Sequence, residues 1–229
     1  MFDALFTTTT EYKKLSHALS GKGACALFGL PASGRAQVYA ALCRQLDKVL
    51  CIVTPGEAEA TRFAADLNTL GIPAAVFPAR DYVLRPIEGT AREYEYRRLA
   101  VLGELVGGRL RAVAVPAEAL TQFTTPKEDF CANTRTLHAG DTLLRDDLLA
   151  ALFGAGYTRR AQVDGPGQFS VRGDIVDIFA PDQKMPVRME FWGDEIDTLH
   201  TFDLTTQRRE DAIDKFYLSP AREVLFGKP

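Results

Sequence analysis

Apolar residues in the first half of this chain follow two periods in turn. Short apolar runs at residues 25–30, 49–54, 74–77 and 111–115 predict buried strands. Between them, apolar positions recur at helical spacing. Val38, Tyr39, Leu42, Cys43 and Leu46 share one face within 34–47, and Ala60, Phe63, Ala64 and Leu67 share one within 57–70. Residues 92–106 form a further helical stretch. Gly71 stops the helix before it, and Gly107-Gly108 closes the last one. Strands separated by helices of this length predict an α/β domain with a Rossmann-like parallel sheet and right-handed crossovers. The threonine run at 7–10 reads as a helix start.

The pattern changes after about residue 120. Thr124-Thr125-Pro126 reads as a linker, residues 143–153 as one amphipathic helix ended by Gly154 and Gly156, and 162–217 as several strands. Two of those strands sort charge onto one face. Phe169, Val171 and Ile175 share a parity, and Ser170, Arg172 and Asp174 take the other. Val187, Met189 and Phe191 alternate in the same way with Arg188, Glu190 and Trp192. If the strands pair, Arg172, Asp174, Arg188 and Glu190 crowd one exposed surface. The plain reading is a solvated face of cross-strand pairs, each worth about 0.2–1 kcal/mol. The sharper one is a protein-recognition surface, since arginines flanked by carboxylates and an exposed Trp suit a partner. No nucleophile or histidine stands beside these carboxylates, so no catalytic residues are expected. The predicted organisation is an α/β domain over 1–119, an inserted small α+β module over 120–215, and a segment over 216–229 returning to the first domain.

A chain of 229 residues, 46% apolar and 25% charged, buries a substantial core. Its net charge of −3 argues against a dedicated nucleic-acid domain. Cys25, Cys43, Cys51 and Cys131 form no Cys-x-x-Cys pair, and His17, His138 and His200 lie far apart, so neither a disulfide framework nor a metal site is expected. With no long apolar stretch and no basic, hydrophobic leader, the expectation is a cytoplasmic protein without membrane contact.

One loop carries candidate phosphate chemistry. Gly29-Leu30-Pro31-Ala32-Ser33-Gly34-Arg35-Ala36 has the glycine spacing of a P-loop between a predicted strand and a predicted helix. Arg35 stands where a lysine would reach the phosphates, and Ala36 where a hydroxyl would hold Mg²⁺. Arginine is a bulky planar fork, and alanine ligates nothing. Pro31 removes one backbone N–H from the cradle. Gly29, Gly34, Arg35 and Ala36 therefore read as a degenerate P-loop that has lost hydrolysis, with no cofactor bound. Weak anion binding at the helix N-terminus is all that backbone amides would support.

Taken together, these features resemble the N-terminal, UvrB-like region of the bacterial transcription-repair coupling factors, the Mfd family, over its domains 1a and 2. The residues that carry the resemblance follow the degenerate P-loop in order. They are Phe77-Pro78, Arg97-Arg98-Leu99, Gly156-Tyr157, the run from Val171-Arg172-Gly173-Asp174 to Asp177-Ile178-Phe179, Arg188-Met189-Glu190-Phe191, Asp194-Glu195-Ile196, Phe202-Asp203 and Thr206-Gln207-Arg208. UvrB itself is similar, but it has an intact P-loop and a long tyrosine-rich hairpin. Here the corresponding interval, 81–93, is too short for that hairpin and holds Tyr82 in place of several tyrosines before its end.

The resemblance implies that the second module docks on UvrA, the damage-recognition ATPase. It assigns partner contacts to Arg172, to the pair Arg188 and Glu190, and to Arg159, with Arg160 leaving the last uncertain by one position. UvrB has an arginine where Ser170 stands, so that contact is lost or weakened here. RNA polymerase and DNA would be engaged only by parts of the longer protein, an ATP-dependent translocase, and this fragment would not be an enzyme. Two alternatives follow from the same residues. One is a UvrB-type ATP-dependent helicase fragment. The other is a docking face that packs against the C-terminal part of the longer protein and autoinhibits it.

Overall fold

The computed structural model describes residues 6–21, 23–80 and 90–223. The interval at 81–89, including Tyr82, and the end of the tail at 224–229 lie outside the described residues. Two compact units divide the chain, one of residues 1–79 with 108–121, the other of 80–107 with 122–229.

The first unit contains α1 (Thr10–Ser20), α2 (Ala32–Gln45), β1 (Leu50–Thr54), α3 (Glu57–Thr69), β2 (Ala74–Val76), β3 (Ala112–Pro116) and the short α5 (Ala117–Leu120). Its three strands form a parallel sheet in the order β1-β3-β2. Helix α3 lies on all three strands and buries Ala60, Phe63, Ala64 and Leu67, the face that its apolar spacing predicts. It ends at Gly71, whose φ of +75° only glycine adopts freely. Ile72 N–H then donates to Leu67 O at 2.9 Å and Gly71 N–H to Asn68 O at 3.0 Å, the paired bonds of a Schellman cap. Tyr12 and Leu15 of α1 pack on Val38, Ala41 and Leu42 of α2. The threonine run does start a helix, with the Thr9 hydroxyl capping Tyr12 N–H.

Two expectations for this unit fail. Residues 25–30 form no strand, and Phe28 is 87% exposed. A short apolar run fits the strand template by composition alone, and this one finds no ladder partner among the described residues. Helix α2 begins at Ala32, before Gly34, so Arg35 N–H is already spent on Pro31 O at 3.0 Å. Gly34 thus sits in the first helical turn instead of a phosphate cradle. Arg35 extends to Glu59 at 3.8 Å, and Ala36 is buried.

The second unit holds α4 (Thr90–Val106), α6 (Lys127–Ala132), β4 (Arg135–His138), α7 (Arg145–Gly154), β5 (Thr158–Arg159), β6 (Gln168–Arg172), β7 (Ile175–Phe179), β8 (Val187–Trp192), β9 (Glu195–Phe202), β10 (Arg209–Ala212) and β11 (Lys215–Leu218). Helix α4, which its pattern suggests as a crossover of the α/β sheet, falls within this unit. Strands β5 to β10 form a six-stranded sheet in reverse order, antiparallel except where β5 runs parallel to β6, and β4 pairs with β11. One sheet face buries Phe169, Val176, Ile178, Val187, Met189, Phe191, Ile196 and Leu199 under Leu148 and Leu152 of α7 and Phe216 and Leu218 of β11. Tyr157 is enclosed in that core and donates its hydroxyl to Ser219 O at 2.8 Å. No helix among the described residues is long and apolar enough to cross a membrane.

Candidate protein-interaction face

The charged face is built by two tight hairpins. Between β6 and β7 the loop is Gly173-Asp174, and between β8 and β9 it is Gly193-Asp194. Both glycines have positive φ, +61° and +62°, while neither aspartate does. Glycine alone at positive φ in the first loop position is the type II′ turn, whose twist suits a two-residue hairpin.

The first turn corrects the predicted parity. The stretch from Phe169 to Phe179 is two strands and not one, so alternation restarts after the loop. Val176 and Ile178, not Ile175, join Phe169 and Val171 toward the core. Ile175 is half-buried on the charged face, paired with Arg172 on one side and Glu190 on the other. Asp174 sits in the turn, where Arg145 of α7 donates to Gly173 O at 2.8 Å and to the Asp174 carboxylate at 3.2 Å.

At the centre of the face stands Asp177, which the sequence reading left out of the site. Register lines up Ser170, Asp177, Arg188 and His200 across four strands. The Asp177 side chain is 1% exposed. Arg188 grips it by two bonds, Nε to Oδ1 at 2.7 Å and Nη2 to Oδ2 at 2.9 Å. Arg172 Nη2 donates to the same Oδ2 at 2.7 Å. Arg188 also donates to Gln207 O at 3.2 Å, and its guanidinium lies 4.7 Å from the Phe202 ring centre. Hydrogen bonding to Asp177 raises the Arg188 pKa further above its ordinary range.

The expected exposure of the charges is therefore corrected in two places. Arg188 is buried, because a carboxylate on the neighbouring strand and an aromatic face enclose it. Its fork is held by Asp177 and not by Glu190. Glu190 is half-buried and pairs instead with Arg209 of β10, with Thr198 donating to it at 3.4 Å. Arg172 remains open, its side chain 49% exposed. Ser170 is buried and does not reach the surface. Arg159 is exposed on the edge strand β5, but register sets it beside Phe169 and so on the opposite face from Arg172. Trp192 closes β8 with Arg188 and Glu190 parity and is 82% exposed. Three arginines thus bond to two carboxylates, and Arg172, which shares Asp177 with Arg188, keeps the more open side chain. Among the described residues, no group of three His, Cys, Asp or Glu side chains converges to hold a metal.

The Gly-Asp dipeptides between alternating apolar residues carried a hairpin signal. Asp177 could have been found in part from the same turn, because a two-residue loop puts it opposite Ser170, whereas its place beside Arg188 depends on the register set across the longer 180–186 connection. Nothing in the spacing of Arg209 marks it as the partner of Glu190.

Known proteins match this part of the chain. Residues 136–224 match the family model of the UvrB interaction domain. The chain is 28% identical to the transcription-repair-coupling factor of Bacillus subtilis over 87% of its own length. It is 35% identical to that of Myxococcus xanthus over 86%, and 38% identical to that of Mycobacterium bovis over 80%. It spans 15–17% of the length of these relatives. Residues 136–224 of the second unit therefore belong to the UvrB interaction domain family, in a chain related over most of its own length to transcription-repair-coupling factors.

Proposed function

We propose that this chain is the non-catalytic recruitment part of a transcription-repair-coupling factor, and that the charged face of its second unit binds UvrA. The observation that carries this reading is Arg172. It is a half-exposed arginine beside a tight hairpin turn, inside the matched domain, tied by one nitrogen to the buried Asp177. Arginine presents five donors in a fixed fork and grips a carboxylate by two bonds, so an acidic patch on the partner suits it. Trp192 adds an exposed aromatic anchor at one end of the face, and Glu190 with Arg209 a polar border. Arg188 acts from beneath as support, and Arg159 as a peripheral edge contact.

Displacement of RNA polymerase and translocation on DNA belong, in this reading, to parts of the longer relatives that this chain does not span. Residues 29–36 act as a loop-to-helix junction without nucleotide chemistry. The test is complex formation. The chain should co-elute with purified UvrA in gel filtration and show no saturable Mg-ATP binding on its own. Separate elution from UvrA would remove the recruitment reading. Saturable Mg-ATP binding would restore the helicase-fragment alternative.

A further inference from the structure

We infer that Asp177 is a positioning residue for partner recognition, a buried carboxylate that holds Arg172 in its binding pose through a shared clamp with Arg188. The inference rests on the recruitment reading for the identity of the partner. The geometry of the clamp stands apart from it.

A single carboxylate at 1% exposure accepts three bonds from two arginines. Such a group is a poor stabiliser, since burying charges is costly and apolar replacements of similar volume often match or exceed the stability of the ionic set. Its value lies in what it fixes. Each Arg188 nitrogen makes a bond, Nε and Nη2 to Asp177 and Nη1 to Gln207 O, and its plane lies against Phe202. That arrangement locks the carboxylate plane. Oδ2, already held by Arg188 Nη2, then orients the second arginine. Arg172 uses Nη2 on this oxygen, which leaves Nε and Nη1 without a bond among the described residues on a side chain about half open to solvent.

The backbone under Arg172 is fixed from the other direction. Arg172 is the last residue of β6, one position before the turn that Arg145 grips at Gly173 O and Asp174. The tip of the side chain and the turn next to its backbone are thus both held before any partner arrives. A long arginine that is free in solution loses rotamer freedom on binding, and a pre-ordered one loses less. Asp177 never reaches the surface, so its effect on binding must run through Arg172.

The experiment is a double-mutant cycle on the full chain, combining Asp177→Asn and Arg172→Ala, with UvrA affinity measured by calorimetry and arginine side chains followed by ¹⁵N NMR. In the wild type, the Arg172 guanidinium N–H groups should exchange slowly and rotate slowly. Asp177→Asn should free them and weaken UvrA binding by about fivefold or more. In the Arg172→Ala background the same change should alter affinity by less than about twofold. Equal weakening in both backgrounds would overturn the inference and reduce Asp177 to a structural residue. If Asp177→Asn does not fold, the wild-type spectrum decides alone, and a freely rotating Arg172 overturns the inference. If wild-type chain does not bind UvrA, the recruitment reading fails. The NMR signature still separates a clamped Arg172 from a free one, so the two failures are distinguishable.

Discussion

Arg98 and Glu223 lie 125 residues apart in sequence and meet with both side chains at 0% exposure. Arg98 Nε donates to the two carboxylate oxygens at 3.0 and 2.8 Å, and Nη2 adds a bond at 2.8 Å. Arg80 reaches the same carboxylate at 2.7 Å, and Gln122 accepts from Arg98 at 3.3 Å. The pair ties the end of the described chain to helix α4. Burial works to raise the Glu223 pKa, but bonds from Arg98 and Arg80 outweigh it and hold the group below its ordinary 4.5.

That depressed pKa gives a signed prediction. A carboxylate with a lowered folded pKa contributes stability that is full above its unfolded value and is lost as pH falls through the folded one. Glu223→Gln leaves Arg98 buried without its counter-charge and should cost about 3–5 kcal/mol at neutral pH. In urea unfolding, the gap between wild type and variant should be widest near pH 7 and should narrow as pH falls below 4.5. A gap that stays constant into acid would show that the carboxylate charge is not what holds the pair.

Two glycine caps separate backbone strain from crowding. Gly71 ends α3 and Gly156 ends α7, both at positive φ, +75° and +85°. Nothing lies within 4 Å of a Cβ placed on Gly71, whereas one on Gly156 would stand 2.3 Å from Arg222 Cγ. Gly71→Ala should therefore cost only the left-handed penalty, about 1–2 kcal/mol. Gly156→Ala should cost more by thermal or urea unfolding, and Arg222→Ala should narrow the difference only in part, because the Cβ it keeps still stands 2.9 Å from the added one.

Thiol labelling tests the core of the first unit. Cys25, Cys51 and Cys131 are exposed, and Cys43 is buried against Arg111 O. Burial pushes the Cys43 thiol up from its ordinary 9.0, outweighing Arg111 and Arg44, and it raises Cys51 as well. Because the thiolate is the reactive form, Cys25 and Cys131 should label first, Cys51 more slowly, and Cys43 only on unfolding. Mass spectrometry of partly labelled protein reads the order directly.

Legibility in the sequence followed the range of the interaction. Helix α3 and its glycine stop were visible because Ala60, Phe63, Ala64 and Leu67 need only local spacing. The sorting of charge onto one sheet face was visible for the same reason. Residues 25–30 look like a strand because strand-like composition is local, while a ladder partner is not. The parity expected of Ile175 fails because the Gly173-Asp174 turn restarts the alternation. Arg98 with Glu223, and Glu190 with Arg209, depend on which elements the fold brings together, and no spacing in the chain encodes that. Asp177 falls between these cases, since its place beside Ser170 is local once the hairpin is seen and its pairing with Arg188 is not.

The most direct test of the central proposal is calorimetric titration of UvrA with the wild-type chain beside Arg172→Ala. The account predicts saturable wild-type binding that the substitution weakens by about tenfold or more, a loss of about 1.4 kcal/mol. Equal affinity for both proteins would contradict the assignment of the face, and no wild-type binding would contradict the recruitment function itself.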